Sequence, residues 1–116
     1  MHTAYIVITL TTAVVTAGIA VADLIPAGFV VANSAEVGVP RSWLRPLAAV
    51  KLAGAAGLIV GLVSLRALGI AAATGLVMFF VGAVVTHVRA RVFYNLAFPG
   101  AYLCLSAATL ALMVPR

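Results

Sequence analysis

Four long apolar stretches dominate the chain, at about Ala4 to Ala22, Leu47 to Leu65, Leu68 to Val85 and Leu96 to Val114. Crossing the hydrocarbon core of a bilayer takes roughly 20 apolar residues at about 1.5 Å rise each, so each stretch predicts a membrane-spanning helix. Together they predict an all-α, integral membrane four-helix bundle, a single transmembrane domain over residues 1–116. No basic segment precedes the first stretch, which also runs too long for a cleaved leader, so it reads as a retained helix. Pro99 falls in the first turn of the fourth helix, where a missing N–H costs little, and Pro115 closes that helix.

The polar breaks define the connections. Arg66 alone interrupts the second and third helices, which predicts a tight antiparallel hairpin, and His87 to Asn95 join the third to the fourth. Asp23 to Pro46 is a longer connection. Its stretch Ile25 to Val37 is mostly apolar, with Asn33, Ser34 and Glu36 toward its end, and so either extends the first helix or lies as a short interfacial helix. Gly38, Val39 and Pro40 break it, and Trp43 suits the headgroup level.

Composition removes the soluble alternatives. The chain is 66% hydrophobic and 8% charged, with a mean hydropathy of +1.28, whereas a water-wetted domain carries about a quarter charged residues. A net charge of +5 would suggest nucleic acid in a soluble protein, but here the seven Lys and Arg stand singly or in pairs between apolar runs. They read as topology signals, and no nucleic-acid partner is expected. Arg41, Arg45, Arg89 and Arg91 fall in the first and third loops, with Lys51 just inside; Arg66, Arg116 and the amino group are on the other side. Basic residues are retained in the cytoplasm, so the two longer loops are expected there and the termini outside. One cysteine, Cys104, excludes an intramolecular disulfide, a CxxC redox pair and a thiolate metal cluster built from this chain alone.

Candidate contacts and candidate chemistry follow from residue type and spacing. Gly54, Gly57 and Gly61 in the second helix, with Gly75 and Gly82 in the third, suggest close helix approach, either within the bundle or between two copies. Thr9, Thr12, Thr16 and Asp23 fall on one stripe of the first helix at about 100° per residue, and Asn95, Tyr102, Ser106 and Thr109 repeat this in the fourth. Both stripes should face the interior, where the hydroxyls either line a cavity or bond back to the preceding turn. Cys104 lies on the opposite face, so it receives no catalytic role. Ionisable residues in a membrane are costly and usually need a partner or water. Asp23 ends the first helix, Lys51 lies about one turn into the second and His87 ends the third, all toward one side. A Lys51–Asp23 pair with His87 and Asn95 near it would form a ligand or proton site; the competing reading is structural pairing or snorkelling of the charges to the surface. No metal site and no catalytic residue emerges from the spacing.

Four segments carry a family resemblance: GVPRSWLRPL at Gly38 to Leu47, KLAGAAGL at Lys51 to Leu58, FFVGAVVTHVRAR at Phe79 to Arg91, and LAFPGAY leading into the fourth helix. With them the chain resembles the DoxX-like family of small four-helix bacterial membrane proteins over nearly its whole length. The resemblance implies a bundle in the bacterial inner membrane, with Lys51 and His87 at polar positions. Relatives of that kind are associated with thiosulfate and quinone oxidoreductase complexes or with thiol and oxidative-stress assemblies. Without a redox cysteine pair, the expectation is an accessory subunit that binds a lipid, a quinone-like ligand or a partner protein. Quinone is the one cofactor left open, and the associations in view are membrane lipid, a homodimer or a redox complex. The competing class is a small proton-coupled transporter working as a dimer. Small multidrug resistance transporters match the length and helix count but rely on a glutamate embedded in the first helix, and here that helix has no acid before Asp23.

Overall fold

In lipid a backbone must satisfy its N–H and C=O groups internally, and the apolar runs accordingly become helices. The computed structural model describes residues 2–25 and 28–114. Its elements are α1 (His2–Leu24), α2 (Gly28–Glu36), a single 3-10 turn at Arg41–Trp43, α3 (Leu44–Val63), α4 (Arg66–Arg89) and α5 (Ala97–Met113), with no strand among the described residues. The helices run two to four residues beyond the apolar stretches at several ends, because Arg66, His87 and Arg89 continue α4 into the boundary. Three spans, Thr3–Leu24, Arg41–Val63 and Arg66–Arg89, are long and apolar enough to cross a membrane. Helix α5 has 17 residues, or about 25 Å, at the short limit for a crossing. Pro115 and Arg116 lie outside the described residues.

The four long helices form a ring in which α1 packs on α3, α3 on α4, α4 on α5 and α5 back on α1. Every neighbouring pair is antiparallel, so the end of α1, the start of α3, the end of α4 and the start of α5 share one end of the bundle. The core is built by Leu58, Leu76, Phe80 and Met113 with small Ala13, Ala55 and Ala73 between them.

Glycine spacing sets the tightest seam. A Cβ built on Gly61 would lie 2.3 Å from the Gly69 Cα, one on Gly57 2.6 Å from the Ala72 Cβ, and one on Gly54 2.6 Å from Leu76. The second-helix glycines therefore meet α4 of the same chain. On α4 the expectation needs correction, since a Cβ at Gly75 or Gly82 would meet nothing within 4 Å. Gly69, Ala72 and Leu76 recur at three and four residues and make the contact with α3, whereas Gly75 borders an open groove beside that seam and Gly82 has no close neighbour.

The first connection is an independent helix, not an extension of α1. Helix α2 buries Val30 and ends in a Schellman turn: Gly38 takes φ 79°, its N–H bonds Ala35 O at 3.2 Å, and the Val39 N–H bonds Ser34 O at 2.8 Å. Helix α4 ends the same way, with Arg91 at φ 57° in the position that glycine usually fills.

Candidate functional site at the loop end

Asp23 and Lys51 meet at that shared end. Asp23 occupies the last turn of α1 and Lys51 the third turn of α3; the ammonium donates to Asp23 Oδ2 at 2.6 Å. The carboxylate residue is 3% exposed and the lysine side chain 11%, so neither charge reaches open solvent. Burying two ions costs several kcal/mol each, which only a close, well-oriented partner offsets. Lys51 gains a second support from Phe79, whose ring centroid lies 5.4 Å from Nζ. Phe79 packs edge-on against Phe80 at 5.2 Å, and Phe80 stacks on Tyr102 at 5.3 Å, so an aromatic row runs from the ammonium across to α5.

His87 and Asn95 belong to the same end but to different contacts. His87 is buried in the last turn of α4, and its Nδ1 lies 2.9 Å from Ala83 O. A carbonyl only accepts, so Nδ1 carries the proton there, and Nε2 is buried without a hydrogen-bond partner. The α3–α4 register pairs Gly54 with Leu76 and sets Lys51 over Phe79, which leaves His87 eight residues, about 12 Å, further along α4. Asn95 Nδ2 instead donates to Asn33 Oδ1 of α2 at 2.6 Å, while its own Oδ1 is buried and unpartnered. Tyr94 beside it donates to Glu36, so the α4–α5 loop is clasped to α2 at two points. That bond to the Glu36 carboxylate is the main reason the Tyr94 hydroxyl ionises above its ordinary 10.0.

The hydroxyl stripes meet across the α1–α5 seam. Thr9, Thr12, Thr16, Ser106 and Thr109 are all buried. Thr12 donates to Ile8 O at 2.8 Å and lies 2.9 Å from the Thr109 hydroxyl, whereas Thr9, Thr16 and Ser106 have no side-chain partner. Tyr102 is half-buried against Phe80. None of these residues lines the pocket at the loop end or the groove between α3 and α4. Cys104 is exposed.

One pocket, of about 440 Å³, opens at the loop end and is lined by Asp23, Leu24, Arg41, Ser42, Leu44 and Arg45. The other, of about 240 Å³, is an apolar groove between α3 and α4 around Val50, Ala53, Leu68 and Gly75. Sequence reading took Arg41 and Arg45 only as topology signals and missed them, with Ser42, as pocket residues. Their spacing of four residues across the start of a helix that also carries Lys51 was the available signal.

A helical bundle of this kind, with an ion pair buried under one end, is an integral membrane protein. The model of the DoxX-like family matches residues 7–109, and the chain belongs to that family. No curated protein and no solved structure matches it.

Proposed function

We propose that this DoxX-like protein is a membrane subunit that holds an amphiphile, a lipid or quinone-like molecule, in the pocket at the loop end, as an accessory to a redox complex. The observation that carries the reading is the pocket of about 440 Å³ whose lining includes Asp23, itself paired with Lys51. Leu24 and Leu44 supply apolar lining for a tail or ring, and Arg41, Ser42 and Arg45 supply polar contacts for a head. Such a mix suits a ligand with one end wet and one end in lipid. Any electrons transferred in this role belong to the ligand or to a partner protein, since the chain has a single cysteine.

Native mass spectrometry of the full chain in mild detergent tests the reading. The wild type should retain about one small amphiphile per chain or take up added decylubiquinone, and Lys51→Met, which releases the pocket's acidic wall, should weaken that retention roughly tenfold. A wild-type chain that carries no amphiphile and takes up no decylubiquinone overturns it.

A further inference from the structure

We infer that the loop-end pocket is built for a phospholipid headgroup that joins a phosphodiester to an adjacent hydrogen-bond donor, the pattern of an ethanolamine ammonium or a glycerol hydroxyl. The inference rests on the reading of this pocket as the amphiphile site and names the chemistry of its occupant.

The division of charge inside the pocket carries it. Lys51 engages only Oδ2 of Asp23, and Oδ1 is left without a protein partner among the described residues, on the residue that walls the pocket. A carboxylate oxygen is an acceptor and nothing else, and one left open on a residue of the pocket lining calls for an N–H or O–H from the occupant. Arg41 and Arg45 line the same pocket and have no acidic partner among the described residues, where the Lys51–Asp23 contact is the one ion pair. Asp23 is balanced by Lys51, so the two guanidiniums leave the lining with a formal excess of two positive charges. A guanidinium fork matches two phosphate oxygens at once, and Ser42 adds a hydroxyl donor beside them. Asp23 is buried whereas Arg41 and Arg45 are exposed, an order that suits a headgroup whose donor points inward and whose phosphate stays nearer the surface.

Free phosphate would satisfy the arginines but leave the apolar half of the pocket unused. Leu24 and Leu44 belong to the lining, and Ile25, Phe29 and Trp43 stand exposed at the same end, at 70%, 65% and 56%. Those side chains favour an occupant with acyl chains. A neutral quinone ring, by contrast, presents carbonyl acceptors and has nothing to donate to Asp23 Oδ1.

Trp43 is the single tryptophan and directly follows Ser42, so its fluorescence reports occupancy. The full chain is reconstituted in bilayers and quenched with phospholipids brominated in the acyl chain, carrying ethanolamine, glycerol or choline headgroups. Choline has the same phosphate, but its trimethylammonium has no N–H. Ethanolamine and glycerol lipids should bind roughly tenfold more tightly than choline lipid, the effect of one hydrogen bond to a charged group. Arg45→Gln, at an exposed position, should weaken all three by a similar factor and keep the preference, whereas Asp23→Asn should reduce the preference itself. Equal quenching by ethanolamine and choline lipids in the wild type overturns the inference, as does displacement of the brominated lipid by inorganic phosphate. If the headgroups are indistinguishable while decylubiquinone still binds, only the inference fails; if decylubiquinone and every lipid fail to bind, the reading of the pocket fails with it.

Discussion

At Asp23 and Lys51 the question is what each charge does once the other is gone. The pair is close and nearly dry, so its attraction mainly offsets the cost of taking both groups out of water. Lys51→Met leaves an uncompensated carboxylate and Asp23→Asn an uncompensated ammonium, each expected to cost about 3 kcal/mol of stability. The double variant should lose clearly less than the sum, because neither partner is then stranded. Unfolding of the four proteins in detergent with a chemical denaturant measures that coupling. Strict additivity would show that the two residues act separately and would remove the shared site. His87 Nε2 and Asn95 Oδ1 are also buried without hydrogen-bond partners, and neither residue hydrogen-bonds to the Asp23–Lys51 pair.

Among the elements, α3 and α4 are joined by a two-residue connection, Ser64 and Leu65, and packed through small residues, which matters in lipid because helices gain little by hiding apolar surface from one another. Close backbone approach supplies the contact instead. At Gly61 an added methyl group would collide with the Gly69 backbone, which cannot move aside as a flexible side-chain end can. Gly61→Ala should therefore lower stability by about 2 kcal/mol, the usual scale for overpacking. Gly75→Ala meets open space and removes a flexible residue from mid-helix, so it should be neutral or stabilising by roughly 0.5–1 kcal/mol. Thermal unfolding of both variants in the same detergent makes the comparison. Equal effects at the two positions would mean that the α3–α4 contact is not set by backbone approach. The α1–α5 seam works differently, through the Thr12–Thr109 hydroxyl pair at 2.9 Å and a set of buried hydroxyls around it.

For the whole molecule, the longest dimension is 40 Å, enough for a hydrocarbon core of about 30 Å with the loop end at headgroup depth. The antiparallel ring gathers Arg41, Arg45, Arg89 and Arg91 at that end, while Arg66 stands at the other, its guanidinium 5.4 Å from the Tyr5 ring. This asymmetry predicts that the pocket opens to the cytoplasm and the start of α1 lies outside. A cysteine placed at the exposed Ala90, in a Cys104→Ser background, should resist a membrane-impermeant maleimide in intact bacterial cells and react after lysis. Efficient labelling in intact cells would invert the orientation and move the pocket to the outer face.

Period and polarity along the chain determined the membrane class, the helix-rich bundle and the antiparallel order, because length and hydropathy suffice to decide which segments enter a bilayer. Polar stripes at helical spacing likewise placed Thr9, Thr12, Thr16, Ser106 and Thr109 inside, and an intramembrane charge demands an opposite charge, which made Asp23 and Lys51 legible as a pair. Tertiary structure decided what spacing cannot carry. The rotation of α4 about its axis brought Gly69 and not Gly75 into close contact with α3, a choice made by the fit of surfaces across two helices. The fold of the first connection into α2 gave Asn95 a hydrogen-bond partner in Asn33. The 3-10 turn and the start of α3 brought Arg41 and Arg45 to Asp23, across gaps of 18 and 22 residues in sequence, and that convergence through an irregular connection is where pattern reading runs out.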